Sequence, residues 1–207
     1  RRGSDAQVVA ITGSVGKTTT KELVAAILGA RYRVCKSRGN LNNAIGLPLS
    51  LLELRTSPEV AVVELGMNRP GEISRLVEIS EPNFRVWTNV AEVHAEFFSS
   101  IEGIADAKAE ILEGATSDTA LVANAADSRV MTRLSGFPGR VATFGLDVEA
   151  SVTATEVEDR GLDGTRALIR TPSGSTTVTT PLLGRANLSN VLAAVAVAVQ
   201  FEVPLAA

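Results

Sequence analysis

Gly13-Ser14-Val15-Gly16-Lys17-Thr18-Thr19-Thr20 is the stretch that decides how the rest of this chain is read. The apolar run before it, Val8-Val9-Ala10-Ile11-Thr12, predicts a buried strand. In Glu22 to Leu28, after it, apolar residues recur at helical spacing. A strand, a tight glycine turn and a helix that opens on Gly-Lys-Thr together make a cradle for phosphates. The glycines let backbone N–H groups turn into the loop, and the helix dipole favours an anion there. Lys17 is placed to reach the outer phosphates, and the Thr18 hydroxyl to ligate Mg²⁺. Ile11 stands where the longer P-loop has its first glycine, so the match is to a short G-x-x-G-K-T form. The alternative is an ordinary glycine-rich turn between strand and helix.

The remaining chain sets this loop in a repeating frame. Strand-like and helix-like segments alternate to about residue 145: helical Ile45 to Leu54, strand Ala61 to Gly66, helical Gly71 to Ile79, strand Phe84 to Val90 and helical Ile101 to Glu113. Strand Thr119 to Ala123, helical Asp127 to Leu134 and strand Arg140 to Phe144 follow. From about Ala150 the segments become short, Thr-rich and alternating, with turn signals at Asp163-Gly164 and Pro172-Ser173-Gly174. Asn187 to Phe201 returns to helix with Ala and Val on nearly every side, which predicts burial. This order predicts an α/β fold: a P-loop-type, mostly parallel sheet flanked by helices, with a small antiparallel sheet near the C-terminal part. Ligands then belong at the carboxyl ends of the strands.

Composition narrows the partners. The 207 residues are 45% hydrophobic and 21% charged, enough chain for a substantial core. A net charge of −3 gives no electrostatic case for nucleic acid or an acidic membrane. No apolar run reaches membrane-spanning length, and no signal-peptide pattern is present. The single cysteine, Cys35, excludes an internal disulfide and fits a reducing cytoplasm. The polar start Arg1 to Ala6 and the trailing Glu202 to Ala207 are read as linkers around one module spanning 1–207.

Four further features carry chemistry. Glu64 ends a strand expected beside the phosphate-loop strand, where a carboxylate can accept Mg²⁺; a solvated strand-end acid is the alternative. His94, the one histidine, follows a strand on the same expected edge, as a ligand or as a packed or surface residue. Lys108 lies in Ala105-Asp106-Ala107-Lys108-Ala109-Glu110 and by itself reads as a snorkelling surface lysine. Asn187 and Asn190 open the last helix, with Asn187 a plausible N-cap.

Thr12 to Thr20, Asn40 to Pro48, Val63-Glu64-Leu65-Gly66-Met67, Thr88 to His94, Ala107 to Ile111 and Gly184 to Asn190 together resemble the ATP-binding middle domain of the Mur ligases. The resemblance runs in order along nearly the whole chain. Within the family, the asparagine loop, Glu-Leu-Gly-Met and Val-His-Ala-Glu-Phe-Phe are most similar to the member that acts on UDP-N-acetylmuramoyl-tripeptide and D-alanyl-D-alanine. The resemblance implies ATP-dependent amide ligation in peptidoglycan-precursor synthesis, through an acyl phosphate. It implies nucleotide contacts from Gly13, Ser14, Val15, Gly16, Lys17, Thr18 and Thr19, and adenine contacts from Asn187 and Asn190. Asn42 and Asn43 would line the substrate side. Thr18 and Glu64 would bind a first Mg²⁺, and Glu64, His94 and carbamylated Lys108 a second, so that Lys17, Glu64, His94 and Lys108 act directly in the chemistry. The family's usual histidine before the first helix-opening asparagine is here Ala186. Such enzymes also carry an N-terminal domain for the UDP-sugar and a C-terminal domain that closes over ATP. The chain therefore reads as an excised middle domain, unable to ligate alone. Two other readings remain: a P-loop switch or partner-binding module, and a sister ligase such as folylpolyglutamate synthase. The His94/Lys108 pair argues against the switch, which has no need of a second metal site.

Overall fold

The structure is a computed structural model that describes residues 1, 3–92 and 97–204. Every position of β1 (Gln7–Thr12) after Gln7 is buried, which requires cover on both faces of the strand. Its neighbours lie parallel on both sides: β3 (Val60–Glu64), with Ile11 opposite Glu64, and β4 (Phe84–Trp87), with Thr12 opposite Trp87. From β1 the chain passes through α1 (Lys17–Gly29) to the edge strand β2 (Val34–Lys36). It returns by α2 (Gly46–Leu51) and a 3₁₀ turn, Leu52–Thr56, to β3, then crosses by α3 (Glu72–Ser80) to β4. α4 (Ile101–Ala109), β5 (Ala120–Asn124), α5 (Ser128–Thr132) and β6 (Arg140–Gly145) continue outward. β7 (Val152–Asp159) pairs with β6 in parallel, β8 (Thr165–Thr171) and β9 (Gly174–Thr180) follow antiparallel, and α6 (Gly184–Gln200) ends the fold.

Among the described residues this is one nine-stranded sheet in the order β2-β3-β1-β4-β5-β6-β7-β8-β9. The expected antiparallel part is present and continues the parallel sheet rather than standing apart from it. The chain reverses direction around β1, which opens a crevice at the carboxyl ends of β1, β3 and β4. Alternation along the strands fills two cores. Val9, Ile11, Val62, Val86 and Val122 face α1 and α6, where Leu28, Leu192 and Val197 meet them. Val8, Ala10, Val63 and Leu121 face the other way, against Leu47 of α2, Leu76 of α3, Ile104 of α4 and Val130 of α5. Burying each large aliphatic side chain contributes roughly 1.5–3 kcal/mol, so the site stands on a stiff two-sided base.

Several boundaries differ from expectation. β2 has no counterpart in the sequence reading, because a three-residue edge strand is too short to show a period. β4 stops at Trp87 instead of Val90, since Thr88 and Asn89 turn to hold the phosphate loop. The helix expected over Ile101 to Glu113 tightens into a 3₁₀ turn after Ala109, where buried Arg85 takes the carbonyls of Ile111 and Glu113. α6 begins at Gly184, three residues before Asn187, and its N-cap position is Leu183. No helix among the described residues is long and apolar enough to cross a membrane.

Candidate nucleotide and metal site

The phosphate loop is clipped to the segment after β4 by reciprocal hydrogen bonds. Ser14 N donates to Asn89 O (3.0 Å), and Val15 N donates to Asn89 Oδ1 (2.9 Å). In return Asn89 Nδ2 donates to Val15 O (3.0 Å). Ser14 Oγ donates to Ala91 O (3.0 Å) and accepts from Ala91 N (2.8 Å). The amides of Ser14 and Val15, expected to face a nucleotide, are thus committed to the protein. The donors left for an anion are those of Gly16, Lys17, Thr18 and Thr19 at the start of α1, which have no intrahelical acceptor. No side chain caps that helix end. Both loop glycines are required by space as well as by backbone angle. A Cβ on Gly13 (φ +152°) would lie 1.9 Å from Thr88 Oγ1, and one on Gly16 (φ +83°) 2.3 Å from Asn190 Oδ1.

Lys17 folds back over this cradle, its Nζ donating to Gly13 O (2.7 Å) and Ser14 O (3.2 Å). Burial lowers its pKa, and the nearby Glu64 charge works the other way. Glu64 closes β3 and is 1% exposed, so it is no solvated strand-end acid. Its Oε2 accepts from Asn42 Nδ2 at 3.4 Å. Its buried Oε1 accepts no aligned hydrogen bond, although Lys21 Nζ stands 3.2 Å away. A buried carboxylate oxygen with a free lone pair, beside an uncapped helix N-terminus, suits a hard cation that also touches phosphate. Thr18 is exposed in the same first turn of α1.

Lys108 sits in the last turn of α4 and is only 2% exposed, which removes the surface reading. Burial, with the Lys17 charge adding to it, brings its pKa down to about 7. No hydrogen bond or ion pair joins its side chain to another described residue. His94 lies outside the described residues.

The asparagines divide their work. Asn43 Oδ1 accepts from Ile45 N (3.1 Å) and Gly46 N (2.8 Å) and so starts α2. Asn187 is not the N-cap of α6; it lies inside the helix, and its Nδ2 donates back to Leu183 O (2.9 Å). Asn190, 8% exposed, accepts from Thr20 Oγ1 (3.3 Å) and donates to Asn187 Oδ1 (3.4 Å), directly behind Gly16. Lys21, which motif reading passed over, is fully buried beside Glu64. The signal for it is its spacing, one helical turn beyond Lys17 on the same face.

Against known proteins, residues 11–198 match the family described as Mur ligase middle domain. The chain belongs to the Mur ligase family. Among curated proteins it is 36% identical over 206 residues to the UDP-N-acetylmuramoyl-tripeptide–D-alanyl-D-alanine ligase of Bacillus subtilis, covering 95% of this chain and 42% of that protein. It is 40% identical over 198 residues to the Escherichia coli protein of the same name, covering 95% and 44%. A crystal structure of MurF from Acinetobacter baumannii superposes with a TM-score of 0.93 at 34% identity, over 99% of this chain and 45% of that one. The Thermotoga maritima MurF ligase in complex with ADP does so with a TM-score of 0.86 at 30% identity, over 96% and 46%. This Mur ligase chain therefore spans less than half the length of the relatives it matches.

Proposed function

We propose that this chain is the ATP-binding middle domain of a longer cytoplasmic ligase that joins D-alanyl-D-alanine to UDP-N-acetylmuramoyl-tripeptide. The observation that carries the reading is one convergence at the sheet's carboxyl edge. The open end of α1, Lys17 and the buried Glu64 with its free oxygen meet there, close to a lysine that burial moves toward neutrality.

In this reading the tripeptide carboxylate attacks the γ-phosphorus of ATP, the bond to the β–γ bridging oxygen breaks, and ADP leaves. The amine of the dipeptide then attacks the acyl carbon, and phosphate leaves with the former carboxylate oxygen. The first-turn amides of α1 and Lys17 bind the β- and γ-phosphates, a task of positioning and charge neutralisation rather than of base catalysis. Thr18 and Glu64 would hold one Mg²⁺, and Glu64, His94 and Lys108 a second. Such ions would supply neutralisation of the phosphate charge during transfer. An ammonium repels such ions, whereas a neutral Lys108 amine can add CO₂ and lose a proton to become an anionic carbamate, an oxygen ligand of the kind Mg²⁺ takes. Asn190 shapes the loop behind Gly16, and half-buried Asn187 is left to face the adenine. The flanking domains bind the UDP-sugar and close over the nucleotide, so the chain alone binds Mg-ATP weakly and does not ligate. A nucleotide switch leaves the buried Lys108 without a task.

The test is ADP release by the full-length protein with both substrates present. Lys17→Ala should cut the rate more than tenfold, a barrier increase above ~1.4 kcal/mol, and wild-type release should depend on D-alanyl-D-alanine. A variant keeping more than a tenth of the rate removes Lys17 from this role. Nucleotide turnover indifferent to the dipeptide would favour the switch.

A further inference from the structure

The two oxygens of Glu64 are addressed from opposite elements. Lys21 approaches Oε1 from α1 at 3.2 Å, and Asn42 approaches Oε2 from the loop before α2 at 3.4 Å. Neither partner is free to move. Lys21 Nζ is also tied to Ser37 O (2.9 Å) and Gly39 O (3.3 Å), with Glu22 Oε1 at 3.3 Å. Ser37 is itself held, its N donating to Val62 O (3.0 Å) and its Oγ accepting from Glu64 N (3.4 Å). On the other side Gly66 N donates to Asn42 O (2.8 Å). Gly66 admits the asparagine only because it lacks a side chain: a Cβ there would lie 2.7 Å from Asn42 Oδ1.

We propose that Lys21 and Asn42 are positioning residues that fix the Glu64 carboxylate and thereby make the site strict for Mg²⁺ over Ca²⁺. The inference rests on the reading of Glu64 as a metal ligand. Mg²⁺ demands near-ideal octahedral geometry at short distances, whereas Ca²⁺ accepts variable geometry at longer ones, so rigidity of a shared ligand selects Mg²⁺. An ammonium beside a metal carboxylate also opposes any cation by simple repulsion. That repulsion is the same for two divalent ions and cancels in their ratio. What survives in the ratio is geometry.

The experiment measures the Kd of ADP for the full-length protein in saturating Mg²⁺ and in saturating Ca²⁺, which needs no turnover. Lys21→Met keeps the side chain's length without its charge or donors. It should shift the ratio toward Ca²⁺ by about threefold or more, and Asn42→Ala, acting through the longer contact, should shift it the same way by less. Lys21→Met leaves a buried carboxylate unpaired and can fail to fold. Asn42→Ala touches a half-buried residue and then carries the test. Glu64→Gln is the control on the underlying reading: unchanged ADP affinity in both metals would remove Glu64 from the site and the clamp with it. A Glu64→Gln effect, with the ratio unmoved in whichever of the two variants folds, overturns the clamp alone. Tighter ADP binding in both metals by Lys21→Met at an unchanged ratio shows that the ammonium serves only as a countercharge, and also overturns it.

Discussion

The carboxyl edge of β1, β3 and β4 and the ribbon of β7, β8 and β9 belong to one sheet, yet they handle polar groups in opposite ways. At the first, Lys21, Glu64 and Lys108 are withdrawn from water, and the phosphate loop spends its polar atoms on reciprocal bonds with residues 88–91. Along the ribbon the charged pair Arg166–Glu158 stands about half exposed at 46% and 54%. The bend at Gly161 touches nothing that a methyl group would meet. Buried charge costs stability unless something compensates it. A fold that keeps three titratable groups inside one edge, and exposes those of its ribbon, marks the edge as the place where chemistry outweighs stability.

The contrast can be broken most sharply at the glycines. Gly13→Ala forces a Cβ to within 1.9 Å of Thr88 Oγ1 at φ +152° and should cost about 3 kcal/mol or more of stability. Urea titration reads this directly, and a loss below ~1 kcal/mol would mean that the loop gives way easily. The next effect separates structure from charge. The Lys108 pKa is lowered to about 7 by burial, with the Lys17 charge adding to it, so the unfolded chain holds the proton more tightly than the folded one. Wild-type stability attributable to this group therefore rises with pH from about 7 toward the unfolded value near 10.4. Lys108→Met should be more stable than wild type below pH 7, by on the order of 2 kcal/mol, and the advantage should fade above it. Equal unfolding midpoints at pH 6.5 and 9 would show that Lys108 is better solvated than its burial indicates.

On the ribbon, Gly161→Ala (φ +59°) meets no neighbour and should cost only about 1 kcal/mol, the penalty of a left-handed backbone for a side chain. Thermal melts of this variant and of Gly13→Ala side by side would measure how much of the first penalty is contact. Smallest of all, Arg166→Ala removes an exposed ion pair of 3.1 Å and should change stability by less than about 0.5 kcal/mol. A change above ~1 kcal/mol would give the ribbon a structural load that its exposure denies.

What could be read from the sequence was what is local. The strand, loop and helix around Gly13 to Thr20 lie within one short segment, and the turn signals of the ribbon are two or three residues long. Glu64 was legible as a strand end because Val62 and Val63 precede it. Its burial was not, since that depends on α1 and the asparagine loop closing around it. Lys21 gave no motif signal, because its partners come from elsewhere in the chain, Ser37 and Gly39 from the loop after β2 and Glu64 from the end of β3. The helical start at Gly184 escaped because that end carries no side-chain cap. Asn190 was singled out for a ligand, and its packing behind Gly16 is a contact that only the folded chain creates.

That last contact has a consequence for how the protein is made. β1 and α1 leave the ribosome early, but Thr20 meets Asn190 across 170 residues of sequence. α6 also completes the core beneath α1, with Leu192 and Val197 set against the same strands as Leu28. A nascent chain that has not yet released α6 holds a phosphate loop with its back uncovered and one face of its sheet half bare. Within this domain the phosphate loop is synthesised before the helix that finishes it, so the loop is fully backed only once α6 has docked.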